Sequence, residues 1–232
     1  MPPSSAHSPR RDSMPWWLAV TVLAVCGVLL GTLVATVATR ASPFVLDTAV
    51  HGWVLDHRPA WARQLATIVT DTGSGAPAYA LAALAGSLAQ RTAAYWRGAL
   101  AGVLALASAQ LPRMALASAL ARPRPPAADW AATAGGWSMP SGHTTTSMVV
   151  ALLLTLAVHR RVHGRVRPIL LAVPAIWATT VGLTRIYLGM HWPTDVVAGW
   201  LLAACWAASA TLLVLLWRRR ADHALSMERQ YT

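Results

Sequence analysis

The stretch WWLAVTVLAVCGVLLGTLVATVAT, from Trp16 to Thr39, contains no charged residue and is long enough to cross a lipid bilayer. It is too long for the apolar core of a signal peptide, and no small-residue cleavage site follows it. We therefore expect it to stay in the protein as a first membrane span. Apolar runs of similar length recur along the chain, which predicts an all-α, polytopic membrane bundle.

The sequence predicts six transmembrane helices within one domain, residues 16–217. The predicted spans are 16–39, 74–90, 95–121, 142–159, 168–188 and 193–217. Between the first two spans, the segment 44–69 has apolar residues at helical spacing with polar and charged residues between them. Trp53 and Trp61 suit the headgroup level of the bilayer. We expect one amphipathic interfacial helix there, which serves either as a connector or as a guide for lipid headgroups.

The composition supports this class and bears on partners. Of the 232 residues, 56% are hydrophobic and 12% are charged, and the net charge is +11. Such a charge would suggest nucleic acid if the protein were soluble. Here every basic residue is an arginine and most lie beside apolar runs, which indicates cytoplasmic loops and no nucleic-acid partner. We expect cytoplasmic tails at 1–15, which is disordered, and 218–232, with the loops 122–141 and 189–192 facing outward.

The two cysteines, Cys26 and Cys205, lie inside apolar runs, where a thiol behaves as a small hydrophobic group. We expect neither a disulfide framework nor a thiolate metal site. No other cluster of metal-ligand residues stands out, so we expect no metal and no cofactor. Nothing in the sequence indicates a protein partner.

The block Pro140-Ser141-Gly142-His143 lies where a loop meets an apolar helix. Ser141 is a favourable N-cap, so the fourth helix is predicted to begin there. The amides of Gly142 and His143 would then be free donors at the positive end of the helix, which suits an anion. Because such a helix start is common, this block alone is weak support for a phosphate site.

A second block, Arg185-Ile-Tyr-Leu-Gly-Met-His191-Trp-Pro193-Thr-Asp195, joins the fifth and sixth spans. Pro193 suits a first helical turn, so His191 precedes the helix and Asp195 lies within that turn. Residues four apart can meet, and a carboxylate there would fix the tautomer of His191 and leave its other nitrogen as a nucleophile. Arg185 supplies a planar fork for phosphate oxygens. The combination indicates a phosphate-handling centre, although each residue alone has an ordinary structural explanation.

A third block, Arg122-Pro-Arg124-Pro-Pro, follows the third span. It stiffens the exit from a helix, and it also brings two guanidinium groups to the surface expected to carry both histidines. Together the three blocks resemble the signature of the type 2 phosphatidic acid phosphatase superfamily, the integral-membrane lipid phosphate phosphatases. That signature is a lysine, six residues and Arg-Pro; then Pro-Ser-Gly-His; then Ser-Arg, five residues, His, three residues and Asp. This chain departs from it with Thr184 at the serine position and Ala117 at the lysine position.

The resemblance implies a metal-independent, two-step hydrolysis. His191 would attack phosphorus to form a phosphohistidine, Asp195 would orient it, and His143 would act as general acid and then as general base. Four further residues would hold the phosphoryl oxygens: Arg124, Ser141, Gly142 and Arg185. The implied substrate is a lipid phosphate or diphosphate, such as a polyprenyl diphosphate or phosphatidic acid, in the bilayer of a bacterial plasma membrane.

Ala117 removes one cation from the implied phosphate pocket. Arg113, one helical turn earlier on the same face, is a candidate replacement. Because helical side chains lean toward the N-terminus, however, Arg113 is expected to point deeper and away from the loop. Arg122 is the second candidate.

Two other functions fit the same residues. A lipid phosphotransferase would use the same intermediate and exclude water, so phosphate would appear on a second lipid. A non-catalytic lipid-binding or transport protein would have lost its chemistry with the lysine. A vanadate-dependent haloperoxidase shares the pocket chemistry, but six spans and the small size disfavour it.

Overall fold

The computed structural model describes residues 15–40, 42–90 and 93–228, and within these ranges it contains helices and no β-strand. The expected disordered tail, apart from Pro15, lies outside the described residues. The helices are α1 (Trp16–Thr39), α2 (Val45–Asp56), α3 (Ala60–Asp71), α4 (Gly75–Ala89), α5 (Tyr95–Leu120), α6 (Gly142–Arg161), α7 (Arg167–Tyr187) and α8 (Pro193–Glu228), with a 3-10 turn at Ala127–Asp129. The all-α class is confirmed.

Among the described residues, five helices are long and apolar enough to cross a membrane: α1, α5, α6, α7 and α8. The remaining predicted span corresponds to α4, which has 15 residues. At 1.5 Å per residue it is about 22 Å long, shorter than the roughly 30 Å of a bilayer core. Length and hydropathy therefore support an integral membrane protein with five clear spans.

The short helix α4 packs against α5 and α6. A Cβ built on Gly102 of α5 would lie 2.0 Å from the carbonyl oxygen of Ala82 in α4, and one on Gly86 would lie 2.0 Å from that of Gly98. Only glycine allows two helix backbones to approach this closely. The α4–α5 pair is thus built on small residues.

Arginines of α6 complete the C-terminal end of α4. Arg160 Nη1 donates to the carbonyl of Ala89 at 3.0 Å, and Arg161 Nε donates to that of Leu88 at 2.8 Å. The last carbonyls of a helix have no donor within the helix, so these contacts give them the hydrogen bonds that they would otherwise lack. The arginine-rich end of α6 therefore has a structural role.

Two predicted boundaries were wrong. The segment 44–69 forms two helices, α2 and α3, because Pro59 lacks an amide donor and keeps the preceding residue out of the helical conformation. The helix of the sixth predicted span does not stop at residue 217, since α8 continues through Arg218–Arg220 to Glu228. Its last turns are polar, so the apolar pattern ended before the helix did.

The core lies around α6, which packs against α4, α5, α7 and α8. Val149 and Val150 of α6 are fully buried among side chains of three neighbouring helices: Ala78, Ala82, Leu106, Ala109 and Ala203. In contrast, α1 packs mainly on α8, and Ala19 is its one buried residue. Its exposed apolar side chains suit a helix that faces lipid.

The chain direction brings five helix ends together. Helices α5 and α7 end where α4, α6 and α8 begin, and α2 contacts α7 and α8 at this same end. The loop between α5 and α6 and the turn between α7 and α8 also lie there. All three sequence blocks are thus gathered at one end of the bundle.

Candidate active site

A cavity of about 320 Å³ opens at this end of the bundle. The described residues around it include three arginines and two histidines but no Asp or Glu, which makes it attractive to an anion. They are Ser74, Gln110, Arg113, Arg124, Thr133, Ala134, Gly135, Trp137, Gly142, His143, Thr146, Arg185 and His191.

His191 lies in the turn before α8 and is 1% exposed. Its Nδ1 is 3.4 Å from Oδ2 of Asp195, so the expected contact between the two side chains is present. The contact is electrostatic, because the two groups are not aligned as in a good hydrogen bond. Its Nε2 is 2.7 Å from Nη1 of Arg124. Because arginine can only donate, Nε2 must carry the lone pair and Nδ1 the proton. This is the tautomer that a nucleophilic Nε2 requires.

Electrostatics keep this imidazole neutral. Burial lowers the pKa of His191 to about 4, and the Arg124 and Arg185 guanidinium groups add to this, although Asp195 acts in the opposite direction. At neutral pH the Nε2 lone pair is therefore available. An anion bound beside the two arginines would meet an unprotonated nitrogen.

Asp195 is fully buried behind His191. Its Oδ1 accepts from Arg122 Nη1 at 2.5 Å, and its Oδ2 accepts from the Ser138 hydroxyl and from the Trp192 amide at 2.9 Å. These donors fix the carboxylate in one orientation. Ser138 lies outside the predicted blocks, and no local signal in the sequence marked it.

Arg124 is held on the loop by carbonyl groups. It donates to Gly135 at 2.8 Å, Gly136 at 2.9 Å, Trp137 at 3.2 Å and Met190 at 2.8 Å. Burial lowers the pKa of Arg124 and Asp195 opposes this, yet a guanidinium remains charged at neutral pH. The loop thus aims a fixed positive charge at His191.

Arg185 is 3% exposed and lines the cavity. Its Nη1 donates to Thr70 Oγ1 at 3.2 Å, and its Nη2 lies 3.5 Å from the sulfur of Met190. Within the described part of the chain, its Nε has no hydrogen-bond partner. A buried donor without an acceptor is costly, so this nitrogen suits a bound anion.

His143 lines the cavity at the start of α6, and its Nε2 is 2.8 Å from Oγ of Ser74. Ser74 is the residue just before α4. From the sequence, Ser74 was expected only to be the first residue of the predicted span 74–90. Its signal was that of an ordinary helix N-cap, which says nothing about a partner 69 positions away.

Ser141 precedes α6 as predicted, but it is fully buried and does not line the cavity. Its Oγ accepts from Thr144 Oγ1 at 2.9 Å, and its amide donates to the carbonyl of Asp195 at 3.1 Å. It therefore connects the starts of α6 and α8. Its assignment to phosphate binding stays a prediction, whereas Gly142 does line the cavity.

The two candidate replacements for the missing lysine differ. Arg113 lines the cavity, and its Nε donates to Oε1 of Gln110 at 2.7 Å. The expectation that it points away was wrong, because α6 begins beside Arg113, about two turns before α5 ends. Arg122 does not line the cavity; it donates to the carboxylates of Asp47 and Asp195.

Comparison with known proteins gives consistent matches. Residues 98–220 match the PAP2 superfamily. Phosphatidylglycerophosphatase B of Escherichia coli (strain K12) is 40% identical over 79 residues, which are 34% of this chain and 29% of that protein. The undecaprenyl-diphosphatase of Sulfolobus acidocaldarius is 37% identical over 70 residues, 29% of each chain. The chain thus spans less than a third of the length of these relatives.

A solved structure shares the fold. The crystal structure of a transmembrane PAP2 type phosphatidylglycerolphosphate phosphatase from Bacillus subtilis superposes with a TM-score of 0.66 at 22% identity. The match covers 81% of this chain and 94% of that one. It supports the helical membrane architecture described above.

Proposed function

The chain belongs to the PAP2 superfamily, and we propose that it is an integral-membrane phosphatase that hydrolyses a lipid phosphate or lipid diphosphate through a phosphohistidine on His191. One observation carries this proposal. A neutral imidazole, with its Nε2 lone pair beside Arg124, lines a cavity that holds three guanidinium groups and no carboxylate among its described residues. Such a site binds a phosphate ester and has a nucleophile in contact with it.

In the first step, Nε2 of His191 attacks phosphorus and the bond from phosphorus to the lipid or phosphate oxygen breaks. His143, held by Ser74, delivers a proton to that leaving oxygen. Asp195 stabilises the positive charge that the His191 ring gains. The phosphoryl group is then bonded to Nε2.

In the second step, water attacks the phosphohistidine. His143 takes a proton from that water, the Nε2–phosphorus bond breaks, and inorganic phosphate leaves. His191 regains its lone pair. The chemistry of both steps is supplied by side chains, and no metal is required.

Three arginines and one amide hold the phosphoryl oxygens in this proposal. Arg124 donates to a substrate oxygen in place of His191 Nε2. Arg185 uses its Nε, which has no hydrogen-bond partner among the described residues, and Gly142 offers its amide at the start of α6. Arg113 supplies the third cation. Ser141 contributes by holding the start of α6 against α8.

We further propose six spans with the site facing outward. Helix α4 would then be the one short span of the six. It can be short because Arg160 and Arg161 reach its last carbonyls. The arginine-rich loops then lie in the cytoplasm with both termini. Helices α2 and α3 lie at the outer interface, where Val45, at 80% exposure, and Trp61, at 70%, can contact lipid.

The substrate is a lipid phosphate of the envelope. Two of the relatives carry the names phosphatidylglycerophosphatase B and undecaprenyl-diphosphatase, and both names denote enzymes that act on lipids. Outward access to the site favours a polyprenyl diphosphate. Phosphatidic acid and phosphatidylglycerol phosphate are the next candidates.

The test is phosphate release from a panel of these lipids by detergent-purified protein with a chelator present. We expect release by the wild type and none by His191→Ala. Phosphate found on a second lipid would identify a transferase instead. No release from any lipid would favour the non-catalytic binding or transport alternative.

A further inference from the structure

Arg122 lies between two buried carboxylates. Its Nη1 donates to Oδ1 of Asp195 at 2.5 Å, and its Nη2 donates to Oδ2 of Asp47 at 2.7 Å. Both carboxylates are fully buried, and Arg122 is 7% exposed. The three side chains form one ionic cluster directly behind His191, outside the cavity lining.

Asp47 belongs to α2, which contains none of the three sequence blocks. Its remaining contacts are with the start of α8: it accepts from the Thr194 amide at 3.0 Å and from the Thr194 hydroxyl at 2.9 and 2.7 Å. Thr194 Oγ1 in turn accepts from Arg122 at 2.8 Å. Asp47 thus fixes the position of both Arg122 and the first turn of α8, where Asp195 lies.

The charge of this cluster suits the reaction. Two carboxylates share one guanidinium, so the cluster carries a net charge of −1 beside the His191 ring. That ring becomes positive when Nε2 bonds to phosphorus. If Arg122 paired with Asp195 alone, the guanidinium would cancel the carboxylate charge that stabilises this ring.

We propose that Asp47 is a positioning residue for the reaction: by sharing Arg122, it leaves Asp195 oriented and negatively charged toward His191 as the phosphohistidine forms. This inference rests on the proposed function. It assigns a part in the chemistry to the first interfacial helix, α2.

A purely structural role for Asp47 is the alternative. In that case it would only anchor α2 to α8 through hydrogen bonds. Asp47→Asn separates the two, because asparagine has nearly the same shape and can still accept from the Thr194 amide, but it carries no charge. Asp56→Asn is the matched control, since Asp56 is exposed at the other end of α2.

We expect Asp47→Asn to lower kcat about 10- to 100-fold, the range seen when outer partners of metal-bound histidines are removed. KM should change less than about twofold, because Asp47 does not line the cavity. Asp56→Asn should match the wild type. A purely structural loss would reduce the folded fraction, measured by gel filtration, and kcat calculated per folded molecule would then equal that of the wild type.

The pH profile gives a second readout. The charged and titratable groups that face His191 are Arg124, Arg185, His143 and Asp195. With Asp47→Asn the cluster loses a negative charge, so the acidic limb of kcat/KM should move to lower pH. Arg122→Gln removes the positive charge and should move that limb to higher pH. Dividing each profile by that of the wild type cancels the titration of the substrate.

Opposite shifts of the two variants would support the inference. Wild-type kcat and an unshifted limb in Asp47→Asn would overturn it, while the proposed function would stand. If Asp47→Asn does not fold, an unshifted limb in Arg122→Gln overturns it equally. Absence of phosphate release by the wild type would instead overturn the proposed function.

Discussion

The guanidinium of Arg113 lies against Gly142: its Nη1 is 3.5 Å from the position that a Cβ on this glycine would occupy. A cation from α5 therefore lies beside the start of α6, where the first amides have no acceptor within the helix. Ala117, at the position of the family's lysine, is only 7% exposed and brings no charge. Arg113 thus supplies, from one turn earlier, a positive charge beside the helix start.

Arg113→Ala should lower kcat/KM by about 10- to 100-fold, because a hydrogen bond to a charged group contributes about 1.5–3 kcal/mol. Ala117→Lys introduced into this variant should restore part of the loss by returning a cation to the site. Initial rates of phosphate release measure both effects. The control is Met114→Ala, since Met114 is 56% exposed on the neighbouring face. Equal rates for Arg113→Ala and Met114→Ala would remove Arg113 from the phosphate site.

His191 should remain neutral well below the ordinary pKa of histidine. Because its pKa is lowered to about 4, protonation removes the Nε2 lone pair only as the pH falls toward that value. The unfolded chain takes up this proton near pH 6.5, whereas the folded protein takes it up near pH 4. The contribution of His191 to stability therefore falls as the pH drops from about 6.5 to about 4. Nitrogen NMR of labelled histidine, assigned with His191→Ala, should show Nδ1 protonated and Nε2 unprotonated. A resonance that titrates near pH 6.5 would contradict this.

Ser74→Ala should lower kcat about fivefold, because it removes a hydrogen bond of about 1 kcal/mol from His143. The effect should be largest for substrates with poor leaving groups, which depend most on the proton that His143 delivers. Ser74→Thr keeps the hydroxyl and should retain most of the activity. Ser87→Ala is the control, because Ser87 lies in α4, the helix that Ser74 precedes, and donates to the carbonyl of Tyr95 instead. Identical kcat values for the two alanine variants would show that the Ser74 contact is not used.

Gly102→Ala should destabilise the protein, because its Cβ would lie 2.0 Å from the carbonyl oxygen of Ala82 and push α5 away from α4. Overpacking of this kind costs about 1–3 kcal/mol. Gly27→Ala in α1 meets nothing within 4 Å and should be neutral or slightly stabilising, since alanine favours helices. Thermal unfolding in detergent compares the two. A Tm for Gly102→Ala at or above that of Gly27→Ala would disprove the close packing.

Contacts between residues near in sequence were predictable. The contact of His191 with Asp195 was expected from their spacing and from Pro193 at the start of α8, and the start of α6 after Ser141 followed from its N-cap signal. Helix bounds were correct to within a few residues wherever apolar character and helix ended together. They were wrong at the end of α8, where polar residues continue the helix.

The sequence by itself determined the all-α membrane class, the starts of α6 and α8 beside two of the three blocks, and the pairing of His191 with Asp195. These depend on local propensity, apolar length and the 3.6-residue period, all of which are read along one segment. Tertiary structure alone decided that Arg113 enters the cavity while Arg122 bridges Asp47 and Asp195, and that Ser74 reaches His143. Each of these depends on which helix ends meet across the bundle, and burial then requires every charged group to find a partner there.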